Sequence, residues 1–206
     1  MKKSEKAFAY VALILVIAQV AVILVSWIVT AATQALPMRS LLSSEGIRWF
    51  FGEFVSNLAS PLLVWMLLAA IAYGALRSSG LLQALRGDES HEHRNSFRHR
   101  FALKIVVAEV ILYVCIILIL TCIPHAVLLS STGHLFPSSF SQSLVPVITF
   151  GVVLVSVTYG LLSSTLSSVV DVFHSLTIGV SYLLPWWFIY VLAVQLWYTI
   201  CFVFML

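Results

Sequence analysis

Charged residues are scarce in this chain and almost disappear in its second half. Only 9% of the 206 residues are Asp, Glu, Lys or Arg, against about 25% in a typical soluble domain. From Ile105 to Leu206 there is no Lys or Arg, and the only acids are Glu109 and Asp171. Hydrophobic residues make up 61% of the chain. This composition excludes a soluble globular protein and indicates an integral membrane protein.

Sequence motifs for catalysis and cofactor binding are also missing. There is no Walker loop, no Gly-rich dinucleotide turn, no Gly-x-Ser-x-Gly and no His-Glu-x-x-His. The cysteines Cys115, Cys122 and Cys201 lie in apolar runs without the spacing of metal ligands, so we interpret them as buried small hydrophobic residues. We therefore expect no enzyme activity and no cofactor.

One His-rich stretch is a candidate metal site. His91, Glu92, His93 and His99 are close in sequence, with three arginines among and beside them. A metal site needs three or four ligands held in a fixed geometry, and neighbouring arginines repel a cation. A segment that faces water or anionic lipid is therefore favoured over a metal site.

The cations are concentrated in one polar block, residues 77–104, which holds six of the eleven Lys and Arg residues. A centred Arg, Lys or Asp costs a membrane helix about 2.5–3.5 kcal/mol, so we predict that this block is a loop in water. Short basic loops stay in the cytoplasm, which places the N-terminus there too. Nine cations then lie inside and two, Arg39 and Arg48, outside. Because this placement explains the net charge of +3, we expect no nucleic-acid partner.

Five apolar runs are long enough for a helix to cross a hydrocarbon core of about 30 Å. The predicted spans cover residues 7–30, 58–76, 101–123, 143–163 and 186–203. The fold class is therefore an all-α integral membrane protein, one membrane domain over residues 1–206. Pro146 is predicted in the first turn of the fourth span, where a missing N–H costs little. A signal peptide is the alternative for the first run, but its apolar region would be about 7–15 residues, and this run is far longer.

Two segments are predicted to lie at the membrane surface. Residues 37–57 carry apolar side chains near helical spacing, and Trp49 suits the headgroup level. Ser43 or Ser44 is the candidate cap of this helix, and a plain extracytoplasmic loop is the alternative. The second segment precedes Pro185, where we expect an interfacial helix to bend into the last span.

Polar side chains inside or near the spans are candidates for a solute or ion path. They are Glu109, Asp171 and Gln195. An ionisable group at membrane depth is a functional candidate by default. Glu109 is five residues beyond Lys104, about 7–8 Å deeper along a helix, and this spacing makes Lys104 a poor partner. A structural role, through interfacial water or a neighbouring helix, is the alternative.

Small residues four positions apart form two stripes. They are Ala70, Gly74 and Ser78 in the second span, and Ser156, Gly160 and Ser164 in the fourth. Such stripes let helix backbones approach closely where lipid removes the hydrophobic driving force. We expect helix contacts there. Because five spans rarely enclose a path, we also expect a homo-oligomer or a membrane partner subunit, with the lipid bilayer around it.

Two stretches carry a resemblance to a known family. The first is the run from Ser40 to Trp49 with Asn57 and Ser79-Gly80-Leu81, and the second holds Leu129 to Gly133, Pro137-Ser138-Ser139-Phe140, Val145-Pro146, Tyr159-Gly160 and Asp171-Val172. In this order they resemble the AbgT family, the p-aminobenzoyl-glutamate transporters, and Gln195 is similar to a Gln in that family's following helix. The resemblance implies transport of a small anionic aromatic or amino-acid-conjugate solute across a bacterial inner membrane.

The departures from that family are as informative as the matches. Its members are much longer and bind substrate and coupling ion between two re-entrant hairpins, the arrangement that places helix ends at the bilayer midplane. The hairpin motifs are missing from this sequence, so we carry over no substrate residue. Two hypotheses remain. One is a shortened transport protein that acts as an oligomer, and the other is a non-transporting scaffold or accessory subunit.

Overall fold

The computed structural model describes residues 3–32, 37–86, 96–122 and 139–205. These residues form eight α-helices and no strand. The helices are α1 (Lys3–Ala32), α2 (Ser44–Gly52), α3 (Phe54–Leu58), α4 (Pro61–Ser78), α5 (Leu81–Arg86), α6 (Ser96–Cys122), α7 (Ser139–Leu162) and α8 (Val169–Phe204). Five of them, α1, α4, α6, α7 and α8, are long and apolar enough to cross a membrane. The prediction of an all-α membrane protein with about five spans is confirmed.

The spanning helices form because their backbone groups have no other hydrogen-bond partners in hydrocarbon. Helix α1 illustrates this, since 20 of its 30 residues are Ala, Val, Ile or Leu. Leu13, Ile14 and Ile17 are all more than half exposed on its surface. In water such a surface is costly, whereas in a bilayer it is the surface that lipid tails cover.

The chain is organised as two compact units. The terminal unit comprises Met1–Leu63 and Leu183–Leu206, and the central unit comprises Val64–Tyr182. Helices α1, α2 and α3 belong to the terminal unit, whereas α5, α6 and α7 belong to the central unit. The boundaries between the units fall within α4 and α8.

The central unit is built on the antiparallel pair α6 and α7. Its buried core consists of Leu81, Ala102, Val106 and Tyr159. Ala102 is fully buried and Tyr159 is 1% exposed, so the small side chain on α6 makes room for the large one on α7. This pairing of small and large side chains gives the dense packing that associates helices in lipid.

In the terminal unit, α2 packs at the C-terminal end of α8. The Ser43 hydroxyl accepts a hydrogen bond from the Gly46 N–H at 3.0 Å, which confirms Ser43 as the cap of α2. The Trp49 ring stacks on Phe202 at 4.3 Å between centroids. The Arg39 N–H donates to the Val203 carbonyl at 3.0 Å, which satisfies one of the free carbonyls at a helix end. The segment predicted to be interfacial is therefore helical and anchored to the last span.

The predicted cytoplasmic loop over residues 77–104 is helical over much of its length, which corrects that prediction. Helix α4 continues to Ser78, α5 covers Leu81–Arg86 and α6 begins at Ser96; residues 87–95 lie outside the described part of the chain. The Arg77 guanidinium donates to the Tyr73 hydroxyl at 3.0 Å and lies 5.2 Å from the Tyr182 ring centroid. Long cationic side chains extend along a helix to reach water, so the charges do not need a loop backbone.

The prediction that Pro146 lies in a first helical turn is wrong, and the chain is not divided into two helices at Pro185. Helix α8 is one continuous helix of 36 residues that contains Pro185, and no separate interfacial helix precedes the proline. Pro146 lies inside α7, which begins at Ser139 rather than near the proline. Proline is tolerated inside membrane helices because neighbouring helices and local adjustments satisfy the carbonyl it leaves free.

Two of the three cysteines are less buried than the sequence predicts, and the side chain of Cys122 lies outside the described part of the chain. Cys115 is exposed on α6 and Cys201 is half-buried on α8. The apolar runs led to the expectation of burial, but a helix that faces lipid can expose an apolar residue on any side.

Candidate functional site

Glu109 lies on the spanning helix α6, five residues beyond Lys104 and near the start of its long apolar run. Its Oε1 atom accepts a hydrogen bond from the Thr158 hydroxyl of α7 at 3.0 Å. Its Oε2 atom is buried and has no hydrogen-bond partner among the described residues. The structure thus gives Glu109 a partner in Thr158 rather than in Lys104. A buried carboxylate oxygen without a donor is costly, and the free position suits a donor group or a cation.

An apolar cavity of about 260 Å³ lies in the same unit as Glu109. It is lined by Leu76, Leu81, Val110, Tyr113, Ile148, Gly151, Val152, Val155 and Ser156. The Tyr113 hydroxyl donates to the Val147 carbonyl at 2.8 Å. A Cβ atom at Gly151 would stand 2.7 Å from the Tyr113 ring, so the glycine lets this ring lie against α7. Glu109 does not line this cavity.

The N-terminal part of α6 is held by two polar contacts. His99 Nδ1 lies 3.0 Å from the Tyr159 hydroxyl, and Arg98 donates to the Ser164 hydroxyl at 2.9 Å. His99 is therefore engaged with α7. The other candidate metal ligands, His91, Glu92 and His93, lie outside the described residues. Among the described residues there is no group of three or more His, Cys, Asp or Glu that suits a metal ion.

The first small-residue stripe packs against α8 inside the chain. A Cβ atom at Gly74 would stand 2.6 Å from the Gly179 nitrogen and from the Ser175 carbonyl. A Cβ atom at Gly179 would overlap the Ala70 carbonyl oxygen. The Ser78 hydroxyl instead donates to the Gly74 carbonyl of its own helix at 2.5 Å. Sequence analysis missed the partners of this stripe, although Ser175 and Gly179 show the same four-residue spacing.

The members of the second stripe have three separate roles. Ser156 is fully buried beside the apolar cavity, and its hydroxyl has no partner among the described residues. Gly160 faces Leu166, since an added Cβ would stand 2.5 Å from that side chain. Ser164 has a φ of 61° and accepts the bond from Arg98. This stripe therefore does not form one face against a single helix.

Asp171 takes part in the cap of α8. Its Oδ2 atom accepts bonds from the Ser167 N–H at 3.0 Å and the Ser168 N–H at 2.9 Å. The Ser168 hydroxyl in turn accepts a bond from the Asp171 N–H at 3.1 Å. This reciprocal pattern is a capping box, and a carboxylate in the first turn also suits the helix dipole. The geometry assigns Asp171 to helix capping.

Replacing Ser168 with alanine is expected to destabilise the protein by about 1 kcal/mol, because it removes the hydroxyl that accepts the Asp171 N–H. Thermal unfolding of the detergent-solubilised chain, followed by circular dichroism, measures this loss. Thr177→Ala is the control, since that exposed hydroxyl bonds only to carbonyls of its own helix. Equal melting temperatures for the two variants would refute the capping assignment.

Gln195 lies in the terminal unit and is 5% exposed. The Nε2 and Oε1 atoms of its amide group are both buried and have no hydrogen-bond partner among the described residues. One turn further along α8, the Thr199 hydroxyl accepts a bond from Gln19 Nε2 of α1 at 2.9 Å. The Gln19 Oε1 atom is also buried without a partner there. Sequence analysis missed Gln19 and Thr199, although a glutamine within an apolar run is a usable signal.

The three predicted path residues thus belong to different surroundings. Glu109 and Asp171 lie in the central unit, and Gln195 lies in the terminal unit. Comparison with protein-family models, curated proteins and solved structures finds no match to this chain. The function must therefore be argued from the side chains themselves.

Proposed function

We propose that this chain is a membrane transport protein and that Glu109 binds the coupling cation or a donor group of the solute. The supporting observation is the Oε2 atom of Glu109, buried on a spanning helix five residues beyond Lys104 and without a hydrogen-bond partner among the described residues. Intramembrane ionisable groups mark ion and substrate pathways in membrane proteins. Thr158 holds the other oxygen, so the carboxylate is oriented while one acceptor remains available.

The proposed solute is a small anionic aromatic or amino-acid conjugate similar to p-aminobenzoyl-glutamate. This choice rests on the resemblance of the sequence to the AbgT family, which also supports a bacterial inner membrane as the location. Five spans rarely enclose a path alone, so the proposed working form is a homo-oligomer. In the terminal unit, Gln195 has no hydrogen-bond partner for its amide among the described residues, and we propose it as a polar group for solute or ion binding within that unit.

Liposomes that contain the purified protein test the proposal. They are expected to accumulate radiolabelled p-aminobenzoyl-glutamate faster than empty liposomes when a proton or sodium gradient is imposed. Liposomes with an unrelated five-span protein control for leakage. Uptake equal to that of empty liposomes under both gradients would refute transport of this solute class.

A non-transporting scaffold or accessory subunit is the second candidate. The observation that favours it is the composition of the cavities. Neither the apolar cavity of the central unit nor the cavity beside Asn57 in the terminal unit is lined by Glu109 or Gln195. A scaffold is expected to retain a partner membrane protein during purification in mild detergent, and a chain that purifies alone and transports solute would exclude this role.

A further inference from the structure

The terminal unit contains a second cavity, of about 310 Å³. It is lined by Asn57, Ser60, Leu62, Tyr190, Ala193, Val194, Trp197 and Tyr198. Its volume is at the lower end of the range of small-molecule sites, about 300–1,000 Å³. The segment from α3 to the start of α4 supplies three of its residues, and α8 supplies the other five.

The cavity has a buried polar floor and an exposed aromatic rim. Asn57 and Tyr190 are each 8% exposed, whereas Trp197 is 63% exposed. The Tyr190 hydroxyl lies 2.6 Å from the Ser60 hydroxyl and 3.4 Å from the Leu58 carbonyl. The hydroxyl groups of Ser60 and Tyr190 therefore both have hydrogen-bond partners within the chain.

Asn57 differs from the other polar groups of the floor. Its Nδ2 atom is buried and has no hydrogen-bond partner among the described residues. A buried N–H group without an acceptor is costly, and polar groups in such positions are normally paired. Asn57 lines the cavity, and its Nδ2 atom is a hydrogen-bond donor that the described part of the chain does not use.

The lining restricts the chemistry of the ligand. None of the described residues that line the cavity is charged, so they offer an anion or a cation no counter-charge against its large desolvation cost. A neutral acceptor such as an amide or ester carbonyl matches the Asn57 donor. An apolar ring or chain attached to that carbonyl would lie against Trp197, Tyr198 and Leu62.

We propose that this cavity is a binding site for a neutral carbonyl compound with an apolar body, whose carbonyl oxygen accepts a hydrogen bond from Asn57 Nδ2. The carbonyl belongs either to a membrane lipid ester or to a free small amide, which share this chemistry. The site goes beyond the proposed function, because it lies in the terminal unit and does not involve Glu109.

Fluorine NMR titration of the lipid-stripped, full-length protein in detergent tests the site. The probes are 4-fluorobenzamide, which carries the carbonyl, and 4-fluorotoluene, which lacks it. The amide is expected to bind about tenfold more tightly than the toluene, the size of effect expected for one buried hydrogen bond and the desolvation it avoids. The Asn57→Leu variant is expected to lose this preference while it still binds the toluene.

A second pair of variants keeps the test valid if Asn57→Leu does not fold. Trp197→Ala removes an exposed ring of the rim and is expected to weaken both probes. Trp27→Ala is its matched control, since Trp27 is also exposed, at 51%, but does not line the cavity. Any one of three results would overturn the proposal. They are similar affinities of the wild-type protein for the two probes, unchanged amide binding by Asn57→Leu or Trp197→Ala, and no amide binding at all.

Competition identifies the natural source of the carbonyl. Diacylglycerol, an uncharged lipid, carries ester carbonyls, and its dialkyl ether analogue does not. Displacement of 4-fluorobenzamide by the ester lipid alone assigns the site to a lipid, and no displacement by either lipid assigns it to a free small molecule. Equal displacement by both lipids would mean that the carbonyl is not recognised, which would overturn the proposal.

Discussion

Liposomes with the Glu109→Gln variant are expected to take up no more p-aminobenzoyl-glutamate than empty liposomes, while wild-type liposomes accumulate it. Glutamine has almost the same size and shape, so the helix contact with α7 is preserved. The substitution removes the negative charge and exchanges one acceptor oxygen for a donor NH₂ group. If the free Oε2 atom binds a cation or a solute donor, no acceptor remains for it. The initial rate of uptake under an imposed gradient is the measurement.

Two further variants separate this role from a structural one. Thr158→Val removes the hydroxyl that donates to Oε1 and is expected to reduce uptake only in part, since the carboxylate remains. Cys115 lies on the same helix at an exposed position. The Cys115→Ala variant is therefore expected to transport at the wild-type rate. Unimpaired uptake by Glu109→Gln would remove Glu109 from the transport hypothesis, even if the wild-type protein transports.

Replacing Gly179 with alanine is expected to destabilise the protein by at least about 2 kcal/mol net, because overpacking here costs about 3 kcal/mol, the upper end of its usual range. The added methyl group would overlap the Ala70 carbonyl oxygen and crowd the Gly74 backbone. These atoms belong to helix backbones and cannot rotate away, so α4 and α8 must separate. The higher helix propensity of alanine returns at most about 1 kcal/mol. Thermal unfolding in detergent measures the net loss.

Gly52→Ala is the matched control for this prediction. Gly52 ends α2, and no atom of the described residues lies within 4 Å of a Cβ atom added there. The same substitution is therefore expected to leave the melting temperature almost unchanged. A small and equal effect at both glycines would show that α4 and α8 do not cross as closely as the structure has them.

Part of the candidate site follows from the sequence and part does not. A lone Glu in an apolar run identifies Glu109, because an ionisable side chain in hydrocarbon is rare enough to be informative by itself. Its partner Thr158 does not follow, since threonine is common in membrane helices. The capping role of Asp171 follows from a Ser-x-x-Asp pattern at a helix start, which sequence analysis did not use.

The sequence by itself determined that the chain is helical and has five apolar spans. Both properties depend on composition over about 20 residues, because hydrocarbon rejects charge and unpaired backbone groups wherever they occur. Only the tertiary structure decided which helices meet and, apart from the small-residue stripe of α4, which side of a helix faces another. A helix that is apolar on all sides carries no signal of its rotation. The meeting of Gly74 with Gly179, and of Glu109 with Thr158, therefore depends on packing between helices distant in sequence.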